Sequence, residues 1–166
     1  MFEINDYVMY GLTGACKVTD IRSDEEGTNK ERKYYILNPL KDMDSVIMIP
    51  IMNKEIKLRK VITREDAESL LKCSGDETIE WIDDSKERMR EYGELLKSGN
   101  CEVWLRLVRT LANEKQEKVH GGKKLSSSDE TIYKTALNLL SGEMALALDM
   151  DGEEIVPFIN RQIQMK

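Results

Sequence analysis

The feature that most constrains this chain is a change of hydrophobic period near Lys60. Before it, short runs rich in Val, Ile, Tyr and Met alternate with turn residues. After it, apolar residues recur every three or four positions. A period of two belongs to strands buried on one face, and a period of 3.6 to amphipathic helices. One element cannot satisfy both, so the spacing predicts an α+β chain with a sheet domain over residues 1–60 and a helical domain over residues 61–166. A length of 166 residues allows two small cores.

In the first part the expected strands are Asp6 to Tyr10, Ala15 to Arg22, Lys33 to Leu37, Ser45 to Ile51 and Ile56 to Leu58. Gly11, Gly14, the run Ser23 to Asn29, and Asn38 with Pro39 supply the breaks. Ala15, Lys17 and Thr19 alternate with Cys16, Val18 and Ile21. The expected result is a small antiparallel barrel or curled sheet. Val46 to Ile51 is nearly continuous and apolar apart from Pro50. Proline removes a ladder donor, which suits an edge strand on which a partner's strand could dock. The pattern is equally that of a central buried strand ending at Pro50.

In the second part about five helices are expected. Thr63 with Asp66 reads as a cap before Ala67, Leu70 and Leu71, and Gly75 as the stop. A second helix is expected from about Thr78 to Lys97, with Ile82, Met89, Gly93 and Leu96 on one face. Asn100 caps a third carrying Val103, Trp104, Leu107, Val108 and Leu111. A loop holding Val119 to Lys124 follows. Ser127 with Glu130 forms a capping box for a fourth helix bearing Ile132, Ala136, Leu139, Leu140, Met144 and Leu146. Asp151 caps a short fifth through Ile163.

Several function classes are disfavoured. No stretch approaches the roughly 18 to 20 apolar residues of a membrane span, and the N-terminus lacks a secretory pattern, so a cytoplasmic location without membrane contact is expected. Cys16, Cys73 and Cys101 are widely spaced and His120 is the one histidine, which supports neither a disulfide framework nor a zinc site; each cysteine is expected to be a buried small apolar residue. Neither a glycine-rich phosphate loop nor a nucleophile elbow is present, so no enzyme and no cofactor are expected. The paired acids Asp83 with Asp84, and the run Asp24 to Glu26, lack the spacing of a calcium loop and read as solvated surface. Net charge is −6; ten basic and ten acidic residues precede the split after Lys60, and fifteen basic and twenty-one acidic follow it. Any nucleic-acid contact must therefore use a local basic patch.

Three stretches carry a resemblance to a known family: FEINDYVMYGLTGACKVTDI at Phe2 to Ile21, KYYIL with SVIMIP between Lys33 and Pro50, and LVRTL with LSSSDETIYKTALNLLSGEMALA between Leu107 and Ala147. In this order the chain resembles the CarD/CdnL family of bacterial RNA-polymerase-binding transcription regulators. The resemblance implies a Tudor-like N-terminal barrel, also similar to the polymerase-interacting domain of transcription-repair coupling factor. In the family that domain docks on the polymerase β subunit by extending a sheet. Here the docking strand falls on Asp44, Ser45, Val46, Ile47, Met48 and Ile49. The family's helical domain contacts promoter DNA at the upstream edge of the melted region, where a tryptophan wedges into the minor groove.

This chain departs from the pattern at defined places. Met48 and Asp24 stand where some members carry arginines that grip the polymerase. Ser85 falls at the family's tryptophan position, with Glu87 and Arg88 at the basic pair that follows. On a continuous helix Trp81, Ser85, Arg88 and Tyr92 would share a stripe, so Trp81 could replace the wedge one turn away; otherwise it is an ordinary core aromatic. Candidate phosphate contacts are Lys86, Arg88 and Arg90, with Lys118, Lys123 and Lys124 in a loop about five residues longer than the family pattern. The carboxylates Asp83, Asp84, Glu87, Glu91 and Glu94 oppose them, so DNA contact should be weak without polymerase. The alternative expectation is an interaction module that binds polymerase or another protein without touching DNA.

Overall fold

A computed structural model describes residues 1–25, 27, 32–73 and 77–164. It divides into two compact units, Met1–Val61 and Ile62–Lys166. Gly75, expected to stop the first helix, Glu26 of the acidic run, and the end of the turn run at Asn29 lie outside the described residues, as does the side chain of Cys73.

The first unit is a five-stranded antiparallel sheet built from β1 (Tyr7–Tyr10), β2 (Gly14–Ser23), β3 (Lys33–Pro39), β4 (Ile47–Pro50) and β5 (Leu58–Lys60). Its order is β4-β3-β2-β1-β5, so the sheet is open, with β4 and β5 at its two edges rather than closed on each other as a barrel. Two positive-φ glycines, Gly11 at 44° and Gly14 at 87°, bracket the tight Gly11–Thr13 turn that joins β1 to β2. Val8, Cys16, Val18, Tyr35, Leu37 and Ile49 form the core, with Phe2, Ile21, Ile47 and Ile51 against it. The uneven inward series Cys16, Val18, Ile21 has a definite cause. A bulge between Val18 and Asp20 takes Thr19 out of register, and its hydroxyl donates to Ile36 O at 3.3 Å and Asn38 Oδ1 at 2.6 Å.

β3 runs on through Asn38 to Pro39, which pair with Lys17 and Cys16 instead of breaking the strand. The starts of β4 and β5 also differ from expectation, because local turns compete with the ladder. The Ser45 N–H donates to Asp42 O at 3.0 Å, and the Asn38 amide donates to Met43 O and Ser45 O, so β4 begins only at Ile47. The Glu55 N–H bonds Asn53 Oδ1 at 3.0 Å, which makes 53–56 a turn and moves β5 to Leu58–Lys60, opposite Val8 to Tyr10.

The second unit holds α1 (Arg64–Cys73), α2 (Ser85–Lys97), α3 (Cys101–His120), α4 (Ser127–Leu148) and α5 (Gly152–Gln164). Its core joins Ala67 and Leu71, Tyr92 and Leu96, Trp104 to Leu111, Ile132 to Met144, and Ile155 with Ile159. Thr63 caps α1 through the Asp66 N–H, and Asn100 caps α3 through the N–H groups of Glu102 and Val103. The α4 cap is Ser126, which accepts from the Asp129 N–H, one residue earlier than expected. α3 runs on to His120, which shortens the expected loop. Glu143, fully buried, accepts the Ile62 N–H at 3.0 Å, and Arg64 donates to Leu148 O at 2.8 Å, fastening the start of this unit to α4.

The largest correction concerns α2. It starts at Ser85, where Asp84 accepts the Glu87 N–H at 2.8 Å, and residues 77–84 are not helical. Its buried face is Arg88, Tyr92 and Leu96, while Met89 is 51% exposed. The continuous stripe from Trp81 through Ser85 therefore does not exist. Cys16 and Cys101 are buried, and burial pushes the Cys16 thiol up to about 11.

Candidate functional site

In the sheet unit the chemistry lies on the outer edge of β4. Antiparallel ladders alternate residues that bond their neighbour with residues whose backbone faces outward. The Ile51 N–H donates to Lys33 O at 2.9 Å, and Tyr35 and Leu37 stand opposite Ile49 and Ile47. Residues 47, 49 and 51 thus bond toward β3, and the Met48 N–H and C=O face outward. Pro50, the next outward residue, has no N–H to offer. The side chains divide the same way. Ile49 is 2% exposed in the core, whereas Val46 is 64% and Met48 56% exposed. Asp44 is exposed and Ser45 and Ile47 are half-buried. Among the described residues no strand pairs on the far side of β4.

In the helical unit the unusual feature is the irregular segment 77–84, which carries Trp81. The Ile79 N–H donates to Thr110 Oγ1 at 2.8 Å, and the Tyr92 hydroxyl donates to Glu80 O at 3.0 Å. Arg88 Nη1 donates to Ile82 O at 2.7 Å and Asp83 O at 3.3 Å. Glu77 forms an ion pair with Arg106. Trp81 itself is half-buried. Its ring has the Arg88 guanidinium carbon 4.3 Å from its centroid, the Lys118 ammonium at 5.8 Å, and the Tyr92 ring edge-on at 6.2 Å.

Arg88 is not the exposed phosphate contact expected from the sequence. It is 5% exposed, and Nε and Nη2 each donate to Asp129 at 2.8 Å in a bidentate pair. Burial pushes the Asp129 carboxyl up, but hydrogen bonds from Arg88 and Ser126 and the charges of Arg88 and Lys118 outweigh it and hold the group below its ordinary value. The hydrogen bond to Asp129 likewise raises Arg88, so both stay charged.

The other basic candidates are differently placed. Lys86, Arg90, Lys123 and Lys124 are exposed, as is Ser85 at the first position of α2. Arg90 lies 3.2 Å from Glu91. The Lys123 N–H bonds Lys118 O at 2.7 Å, which keeps its backbone beside the residue that approaches Trp81. Asp83, Asp84, Glu87, Glu91 and Glu94 are all exposed, so the surface around Trp81 mixes both signs.

Asp129 and Thr110 were not singled out from the sequence. They lie 41 residues from Arg88 and 31 from Ile79, and no local spacing reveals such pairs. The Asp84-x-x-Glu87 pattern was a visible sign that a helix starts at Ser85. His120 is exposed at the end of α3, beside a groove of about 680 Å³ lined by Lys115, Gln116, Tyr133 and Asn160. No cluster of three potential metal ligands occurs among the described residues, and no described helix is long and apolar enough to cross a membrane.

Compared with protein families, residues 2–62 match the CarD-like/TRCF RID domain, and residues 75–160 match the CarD C-terminal domain. No individual curated protein matches the chain.

Proposed function

The chain belongs to the CarD-like family, whose domains mark an RNA-polymerase-interacting transcription regulator, and from that premise we propose that it docks on the polymerase β subunit through β4 and adjusts promoter open-complex stability through its helical unit. The observation that carries this reading is the outer edge of β4, where the Met48 backbone faces away from the sheet and Val46 and Met48 are exposed beside it. An added strand would bond the Met48 backbone, and the two side chains would provide apolar area. Met48 in place of a cation makes this contact apolar. The protein acts by binding, without catalysis or a cofactor, and in the cytoplasm, where bacterial polymerase works.

For DNA, the supporting arrangement is Trp81 with Lys118 beside its ring and Lys123 close by. An aromatic ring next to a cation suits a melted edge, where unstacking a base step costs about a few kcal/mol and the ring recovers part of it by stacking. The exposed Lys86, Arg90 and Lys124 add positive charge, whereas Arg88 acts inside the fold. Because the neighbouring carboxylates repel phosphate, this contact relies on tethering, which raises the effective concentration to about the millimolar range.

A second reading, in which the helical unit binds protein and not DNA, is favoured by the exposed acidic row of α2. Open-complex lifetime at a promoter separates the two. Trp81→Ala is expected to shorten the lifetime while polymerase binding stays normal. An unchanged lifetime with normal polymerase binding assigns the helical unit to a protein partner.

A further inference from the structure

We propose that Arg88 is a positioning residue: its buried pair with Asp129 holds the irregular segment 77–84 in place and fixes the Trp81 ring, so the α2–α4 junction determines how that aromatic is presented. This rests on the reading of Trp81 as a partner contact, and it assigns Arg88 a role distinct from touching phosphate.

Up to Asp84, whose carbonyl accepts the Arg88 N–H at 2.9 Å as the start of α2, residues 77–83 belong to no helix or strand, so side chains from other elements must hold them. Trp81 lies between two anchored carbonyls. Glu80 O accepts from the Tyr92 hydroxyl at 3.0 Å, and Ile82 O accepts from Arg88 Nη1 at 2.7 Å. Arg88 and Tyr92 both touch the backbone of the segment and the Trp81 ring, and of the two it is Arg88 that also pairs with Asp129 at the start of α4. All three guanidinium nitrogens are engaged, Nε and Nη2 on Asp129 and Nη1 on the carbonyls of Ile82 and Asp83. Asp129 is fixed in turn at the start of α4, where Ser126 Oγ donates to Oδ2 at 2.7 Å. One rigid fork thus connects the first turn of α4, the segment and the indole. Lysine cannot substitute, because one ammonium on a flexible stem lacks both the fork and the flat face that stacks on the ring.

The test is acrylamide quenching of tryptophan fluorescence in the full-length protein. The chain has two tryptophans, and Trp104 is fully buried with its N–H on Leu96 O, so the quenchable signal reports Trp81. In Arg88→Lys, with far-UV circular dichroism unchanged, the quenching constant of Trp81 is expected to rise roughly two- to three-fold as the segment opens locally. An unchanged constant in the folded variant overturns the proposal. If Arg88→Lys does not fold, the wild-type protein decides by NMR. The Arg88 Nε–H should exchange much more slowly than those of exposed arginines, and exchange as fast as theirs overturns the proposal. Open-complex lifetime is read in parallel. Arg88→Lys should approach the lifetime of Trp81→Ala with normal polymerase binding. If Trp81→Ala has no effect on lifetime, the DNA reading fails while the quenching result still decides the positioning role.

Discussion

The edge of β4 and the Trp81 segment both present apolar side chains, yet they are held by opposite means. At β4 the holding groups are backbone: a regular ladder fixes residues 47, 49 and 51, and the outward residues follow from strict alternation. At Trp81 the holding groups are side chains from α2, α3 and α4, centred on a buried ion pair. A backbone-held surface keeps its shape when exposed side chains change, although their chemistry still bears on a partner, and it loses a hydrogen-bonding point with an N–H. A side-chain-held surface tolerates neither loss of a charge nor a change in its geometry.

The difference can be broken most strongly at Asp129. Asp129→Ala leaves Arg88 charged and buried without its partner, which costs about 3–5 kcal/mol in the helical unit and should leave hydrogen exchange of the sheet unit unchanged. A loss below about 1 kcal/mol would mean that water replaces the carboxylate there, contrary to its 2% exposure.

Acid probes the same pair. The folded Asp129 carboxyl titrates below its ordinary 3.8, so its contribution is fully present above that value. It declines as pH falls from 3.8 and is gone once pH has passed below the depressed folded value. Asp129→Asn should remove this component from the acid limb of helical-unit stability. An acid limb identical to wild type would show that the pair is not formed.

Proline sharpens the contrast within β4. Ile49→Pro removes a ladder donor facing Tyr35 and should cost the sheet unit about 1–3 kcal/mol for the unpaired carbonyl alone. Met48→Pro removes a donor that faces outward. It should change sheet stability little but weaken polymerase binding about ten-fold, or ~1.4 kcal/mol. Equal destabilisation by both would refute the assigned alternation.

The smallest effect concerns salt. With Met48 where a cation would stand, binding through β4 should vary weakly with ionic strength, whereas the tethered DNA contact should weaken steeply and Lys118→Ala should flatten that slope. Titrations at two salt concentrations, with and without promoter DNA, measure both.

What was legible in the sequence follows the same contrast. The change of period near Lys60 and the Thr63 and Asn100 caps are local signals set by neighbouring residues, whereas the bulge after Val18 hides inside what reads as plain alternation. Pro50 signalled an edge strand beside the alternative of a central one, and β4 lies at the edge, whereas the open sheet and the late starts of β4 and β5 depend on which strands meet or on turns that intervene. Of the face expected for α2 Leu96 is buried and Met89 is not, because the buried stripe includes an arginine, which a hydrophobic pattern passes over. Arg88 was read as surface for the same reason. Its partner lies 41 residues away, so no spacing rule could show that its charge is matched inside the fold.

The most direct test of the central claim is size-exclusion co-elution with bacterial RNA polymerase, comparing wild type with Val46→Asp and Met48→Pro. The expected result is co-elution of wild type and its loss or marked weakening in both variants, with circular dichroism unchanged. Failure of the wild-type protein to co-elute, or co-elution of both folded variants as strong as wild type, would contradict docking through the β4 edge.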